Sequence, residues 1–187
     1  MDKFSKLRPD KMSTQEDNVV YKDDYMQIIN YDDWNILKER DCVFCIPYLI
    51  EQNQFIIRQE YIPAYKYADG QEYHLSLVGG GIEAGESPEE ALLRELQEEA
   101  GIVLRDNFKI EFEKPLFIGK HSSNKYNISI ITLNENDYHE IPIKGDGTKF
   151  EKMSKTAKID IKYINSLNTS DILTEYVLDK FRKYVNL

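Results

Sequence analysis

One helix, predicted over residues 88–100, constrains this chain more than any other stretch, because its start, its stop and its buried face can all be read from the residues. Ser87 is an N-cap type, Pro88 suits the first helical position, and Glu90 follows the serine at the spacing of a capping box. Gly101 stands where a left-handed residue ends a helix. At about 3.6 residues per turn, Leu92, Leu93, Leu96 and Ala100 share one arc, the face expected to meet a core. Glu95, Glu98 and Glu99 crowd an adjacent arc, since positions three and four apart are neighbours on a helix surface. Each such carboxylate pair repels by roughly 4 kcal/mol at about 4 Å with an effective dielectric near 20. Arg94 offsets part of this, and a hard divalent cation, Mg²⁺ or Mn²⁺, suits the oxygens that remain. By itself the helix leaves a second reading open, a solvated acidic face.

The flanking sequence predicts a mixed fold. Residues 1–18 read as a polar lead-in and 19–40 as a small β extension, with short strands over 19–30 and 33–37 separated by Asp-rich turns. The main domain is expected over 41–187. Strands are predicted at 42–50, 54–60, 72–78, 108–118, 126–133 and 158–163. A loop carrying Pro63, a Gly-rich loop over 79–85 and a polar loop over 134–157 connect them. Residues 170–185 carry apolar side chains at helical spacing and predict a closing amphipathic helix. Strands with helices in the middle and at the end imply an α/β (α+β) sandwich with a mixed sheet.

Composition narrows the class. The formal net charge of −9 argues against a general nucleic-acid or anionic-membrane binder, which needs positive surface. No apolar run is long enough to span a bilayer, and the N-terminus lacks the apolar region of a secretory signal. Cys42 and Cys45 form a C-x-x-C, but they lie in a β-rich stretch where positions three apart face opposite ways. They are expected to be reduced core thiols, which points to a cytoplasmic protein.

The spacing around the helix goes further. From Gly80 the chain reads GGIEAGESPEEALLRELQEEAGI, which fits G-x₅-E-x₇-R-E-U-x-E-E-x-G-U, with U a bulky aliphatic. Gly80, Glu86, Arg94, Glu95, Leu96, Glu98, Glu99, Gly101 and Ile102 all match. Chance would produce this on the order of once in ten million such chains. The stretch resembles the signature of the Nudix hydrolases, an α/β/α sandwich family that cleaves nucleoside diphosphates linked to another group. The resemblance implies that Glu95 and Glu99 are the principal metal ligands, with Glu98 a further ligand and catalytic group, and that the carbonyl of Gly79 completes the site. It implies that Arg94 orients the glutamates, that Glu86 supports them, and that Gly80 and Gly81 let substrate approach the backbone.

Outside the signature, IIRQEYIPAY and the two N-terminal strands resemble ADP-ribose pyrophosphatases, in which such strands help form a homodimer. This implies ADP-ribose cleavage to AMP and ribose 5-phosphate, with Arg58 as a substrate contact. The second arginine common in that subfamily is absent, since Glu60 and Tyr61 follow Arg58-Gln59. Pro115 corresponds loosely to the subfamily's proline beyond the signature. An additional catalytic glutamate is expected in the 134–157 loop, where Glu135, Glu140, Asp146 and Glu151 stand; Glu151 is favoured as general base. Tyr61, Tyr65 and Tyr67 are candidates for stacking on adenine, and His121, Ser122 and Ser123 for phosphate contact. Dinucleoside polyphosphates, NAD(H), FAD or a capped RNA end remain alternative substrates. A non-catalytic nucleotide-binding regulator is the alternative of a different class.

Overall fold

The computed structural model describes residues 18–105, 108–145 and 147–185, and only the backbone of Glu151. The expected lead-in, apart from Asn18, and Asp146 therefore lie outside the described residues. The chain forms two compact units, one from residues 18–39 with Gly119–Ser123, the other from Arg40–Ile118 with the residues from Asn124 onward.

The smaller unit is an antiparallel meander of β1 (Asn18–Lys22), β2 (Gln27–Tyr31) and β3 (Trp34–Lys38). The predicted 19–30 strand is broken in two, because the Asp23 carboxylate accepts the N–H groups of Tyr25 and Met26, both at 2.8 Å, and turns the chain. Asp32 and Asp33 take φ of 49° and 61° between β2 and β3, the paired left-handed residues of a tight hairpin. Gly119–Ser123 joins β3: the Leu37 N–H donates to His121 O at 2.6 Å, and the His121 ring stacks on Trp34 at 4.8 Å. His121, Ser122 and Ser123 thus lie in the smaller unit.

The larger unit is organised by a splayed hairpin. Strands β4 (Cys42–Leu49) and β5 (Gln54–Tyr61) pair only where Tyr48–Leu49 meets Gln54–Phe55, then diverge. After α1 (Pro63–Asp69), the chain enters the fork: β6 (Tyr73–Ser76) pairs with β5, and β7 (Val78–Gly81) pairs with β4. This splits the strand predicted over 72–78 at Leu77, where the partner changes, and makes Gly79–Gly81 strand rather than loop. Helix α2 (Pro88–Ala100) and β8 (Ile102–Leu104) follow. Then β9 (Tyr126–Leu133) runs parallel to the other edge of β4, β10 (Tyr138–Glu140) pairs with β8, and β11 (Lys155–Asp160) pairs with β5. A 3₁₀ turn over Ile161–Ser166 leads to α3 (Ile172–Tyr184).

Alternation along the strands builds a core on each face of the sheet. Val43, Cys45 and Leu49 of β4 meet Leu92, Leu96 and Ala100 of α2, whereas Ile46 of β4 and Phe55 and Ile57 of β5 meet Val177, Leu178 and Phe181 of α3. The result is a mixed α/β sandwich, as the residues predict. Cys45 is fully buried, but Cys42 at the strand end is only partly so and donates to Arg40 O at 3.5 Å, which corrects the expectation of two core thiols.

Three further expectations are corrected. Residues 108–118 form no regular strand: Phe108, Ile110 and Phe112 pack on the core, yet the pairing with β9 reduces to the Leu116–Tyr126 bridge and the Glu113 N–H to Ile128 O bond. Pro115, which has no N–H, interrupts that ladder. The strand predicted at 158–163 lies earlier, because the Asp160 side chain accepts the Lys162 N–H and starts a 3₁₀ turn. The expected loop after Pro63 is α1, begun by that proline and ended by Gly70 at φ 79°.

Candidate active site

Helix α2 has the capping box the sequence predicts: the Glu90 N–H donates to Ser87 Oγ, and the Ser87 N–H donates to Glu90 Oε2. Gly101 ends the helix at φ 64°, and a β-carbon there would lie 2.4 Å from Ile141 O. The loop after β10 ties this end down: the Gly145 N–H donates to Glu98 O, and the Ile141 N–H to Gly101 O. Leu93, expected in the core, is 39% exposed. The buried arc runs instead through Ala91, Leu92, Glu95, Leu96, Glu99 and Ala100, so two of the signature carboxylates take the place of apolar side chains beneath the sheet.

Arginines hold those carboxylates. Arg94 Nε donates to Glu86 Oε1 at 3.0 Å, and its Nη1 donates to Glu95 Oε1 at 2.8 Å and Glu98 Oε2 at 3.2 Å. Its Nη2 reaches Glu86 Oε2 and the carbonyl of Gly81. The Arg94 hydrogen bond holds the Glu86 carboxyl below its ordinary value, and the Glu86 bond raises the Arg94 guanidinium above its own. Burial pushes Glu95 up, Arg94 opposes this, and the neighbouring Glu98 adds to it. On the other side of the helix, Glu99 accepts from Arg58 Nη1 and, at 2.8 Å, from the Gly79 N–H. Arg58, the residue expected as a substrate contact, is 2% exposed and pairs with Glu99 near the point where β5 leaves β4. Thr156 of β11, opposite Arg58 in register, donates to Glu99 O at 2.6 Å.

Two glycines permit this approach. A β-carbon at Gly79, which has φ 147°, would sit 2.0 Å from Val43 O, and one at Gly80 would sit 2.5 Å from Glu95 Oε1. Strand β7 can therefore cross directly over the glutamates. Glu95, Glu98 and Glu99, together with Glu83, Gly81, Arg40 and Arg94, line a cavity of about 370 Å³. Glu83 and Arg40 are additions to the expected set; Glu83 reads as a solvated loop charge, and no motif marks Arg40, which lies just before β4 where that strand pairs with β7. A second cavity of about 330 Å³, lined by Gln59, Gln71, Tyr73, His74 and Asn168–Ser170, contains no carboxylate.

The donor chemistry fits a hard divalent cation: three carboxylates from two helical turns at one polar cavity, beneath a backbone that admits no β-carbon. As they stand, no three acidic, histidine or cysteine side chains among the described residues converge on one point. Arg94 and Arg58 are their immediate neighbours instead.

Other expected residues are dispersed. Tyr61 stacks on Phe150 at 5.9 Å; Tyr65 donates to Asp171 Oδ2 at 2.5 Å; Tyr67 is 95% exposed. The Glu140 carboxylate pairs with Lys158 at 2.6 Å. Glu151 begins a 3₁₀ turn, Glu151–Met153, and its side chain lies outside the described residues.

A family model for the NUDIX domain matches residues 38–152. The 8-oxo-dGTP diphosphatase of Haemophilus influenzae is 44% identical over 66 residues, 30% of this chain and 48% of that protein, so the chain spans about half the length of this curated relative. Among solved structures, an ADP compounds hydrolase superposes with a TM-score of 0.63 at 19% identity, covering 94% of this chain and 97% of that one. A MutT structure, from a study of the Aliivibrio salmonicida and Vibrio cholerae proteins, gives a TM-score of 0.50 at 20% identity, over 75% of this chain and 97% of that one. With its signature glutamates gathered at one cavity and its domain matched over most of its length, the chain belongs to the Nudix family.

Proposed function

We propose that this chain is a metal-dependent pyrophosphohydrolase of nucleoside diphosphate derivatives, with ADP-ribose as preferred substrate and AMP and ribose 5-phosphate as products. The observation that carries this reading is the placement of Glu95, Glu98 and Glu99 at one cavity beneath the β-carbon-free strand Gly79–Gly81. Glu95, Glu98, Glu99 and the Gly79 carbonyl would hold Mg²⁺ or Mn²⁺. When bound, such an ion neutralises phosphate charge and lowers the pKa of water. Arg94 keeps Glu86, Glu95 and Glu98 in fixed orientation, and Arg58 does the same for Glu99. Gly80 and Gly81 leave room for substrate against the backbone, and Glu151 is the candidate general base. Water adds to one phosphorus, the bridging P–O bond breaks, and the base takes the proton.

ADP-ribose is favoured because the likeness to the ADP compounds hydrolase extends over 94% of this chain. A nucleoside triphosphate is the second reading, favoured by the identity to the 8-oxo-dGTP diphosphatase. A homodimer through the smaller unit belongs to the first reading; β1 exposes Val19, Val20 and Tyr21, and light scattering would return twice the chain mass.

The test is turnover of ADP-ribose, 8-oxo-dGTP, diadenosine polyphosphates, NAD⁺, FAD and capped RNA with Mg²⁺, using Glu98→Gln as control. Faster cleavage of ADP-ribose to AMP, lost in the variant, is the expected result. Preference for another substrate overturns the ADP-ribose assignment, and no metal-dependent turnover overturns the hydrolase.

A further inference from the structure

Glu99 is the signature carboxylate nearest the end of its helix. It lies just before Ala100, the last residue of α2, and the carbonyls of that final turn have no donors within the helix. Helix ends fray, so a ligand placed there needs a hold from outside, which Glu95, a turn deeper, does not. Two consecutive carbonyls receive one. The Gly145 N–H donates to Glu98 O at 3.0 Å, and Thr156 Oγ1 donates to Glu99 O at 2.6 Å. The first donor is backbone and is there whatever the side chain. The second is a side chain, so the residue type at 156 decides whether it exists.

Thr156 is not placed for core packing. It lies on β11, at the edge of the sheet beside β5, where Lys155, Ala157 and Lys158 are exposed and Thr156 itself is half-buried. Its partner in register is Arg58, so the two side chains leave the same face of the sheet side by side. They reach one glutamate by different routes: Arg58 Nη1 donates to the carboxylate, and Thr156 donates to the main chain. The Gly79 N–H holds the other carboxylate oxygen at 2.8 Å. A β-branched side chain has few χ1 choices, so the threonine hydroxyl keeps its direction.

We infer that Thr156 is a positioning residue: its hydroxyl pins the main chain of Glu99, so that the carboxylate held by Arg58 and Gly79 keeps one place for a divalent ion. This rests on the reading of Glu95, Glu98 and Glu99 as metal ligands. Removing a group that orients a metal ligand typically weakens metal affinity roughly 10- to 100-fold. A single neutral bond to the main chain belongs at the lower end of that range.

The experiment measures Mn²⁺ affinity of the full chain by paramagnetic resonance, in wild type, Thr156→Val, Thr156→Ser and Thr156→Ala, well below each melting temperature. Valine removes the hydroxyl at nearly constant shape, and serine and alanine differ from each other by the hydroxyl alone. Mn²⁺ binding is expected to weaken about 10-fold in Thr156→Val and Thr156→Ala, and to stay near wild type in Thr156→Ser. A hydroxyl with a structural role alone would lower the melting temperature of the valine and alanine variants and leave their Mn²⁺ affinity unchanged. Wild-type affinity in folded Thr156→Val therefore overturns the role of Thr156 while leaving the metal reading intact. Should Thr156→Val fail to fold, the serine and alanine variants decide, and equal affinity in those two overturns it as well. A wild type that binds no Mn²⁺ overturns the metal reading itself, and this inference with it.

Discussion

Helices α2 and α3 are built on one template and serve opposite ends. Each has 13 residues, and each begins with a side-chain cap, Ser87 accepting from the Glu90 N–H and Asp171 from the Thr174 N–H. They pack against opposite faces of the same sheet. The buried face of α3 is Leu173, Val177, Leu178 and Phe181 with one polar residue, Thr174, and Phe181 meets Phe55 and Tyr48 edge-on at 5.5 and 5.4 Å. The buried face of α2 includes Glu95 and Glu99, which burial penalises unless each finds a partner. Helix α2 is accordingly held by groups outside itself: Arg58, Thr156, the Gly79 N–H and the 141–145 loop. A helix that only closes a core can rely on apolar area, whereas one that carries carboxylates into a core needs a surrounding set of donors.

If this division holds, substitutions in the two helices separate activity from stability. The largest effect is expected from Glu98→Gln, which lowers kcat by about 10³-fold or more through loss of several kcal/mol of charge stabilisation. Its melting temperature stays near wild type, because Glu98 is only partly buried. A stable variant with wild-type kcat would break the comparison at its first step. Phe181→Ala does the reverse: it loses about 3–5 kcal/mol in urea unfolding, since Phe181 is fully buried, and keeps its Mn²⁺ affinity. Arg58→Ala is expected to lose both. Glu99 is left as an uncompensated buried charge at about 3–5 kcal/mol, and kcat falls as Glu99 loses its orientation.

Smaller changes sharpen the contrast. Ser87→Ala is expected to cost about 1 kcal/mol, read by thermal unfolding, because the Glu90 N–H loses its side-chain partner and the helix carrying the glutamates frays first. The smallest effect concerns Asp179 on the exposed side of α3, which the Lys183 hydrogen bond holds below its ordinary value. Because its folded pKa is the lower one, its stabilisation is present above the unfolded value of 3.8 and is lost as pH falls through the folded value. Asp179→Asn should flatten that acid limb of the unfolding curve, because the variant lacks at neutral pH the small stabilisation that the wild type loses only in acid.

The same comparison explains how much was legible in the residues. Both helices were, α2 to the residue, because caps, a proline and apolar spacing act within a dozen positions. Strands 42–49 and 126–133 were legible for the same local reason. Residues 108–118 misled because alternating Phe108, Ile110 and Phe112 report burial, and burial does not require a ladder. Leu93 misled because the wheel assigns carboxylates to solvent by type, and here Glu95 and Glu99 occupy the buried arc while Leu93 is left at its edge.

By itself the sequence determined the family, the metal-ligand candidates and the helix that carries them, since one helix and its preceding loop bring those residues together whatever the remainder of the chain does. The tertiary structure alone decided which groups surround them. Arg58 faces Glu99 because β5 leaves β4 at the fork. Arg40 reaches the cavity because Cys42 pairs with Gly81. Thr156 meets the Glu99 carbonyl because β11 pairs with β5. Contacts between residues some forty to sixty positions apart depend on strand register, and register is settled only when the sheet packs and a one-residue slip would expose its buried side chains.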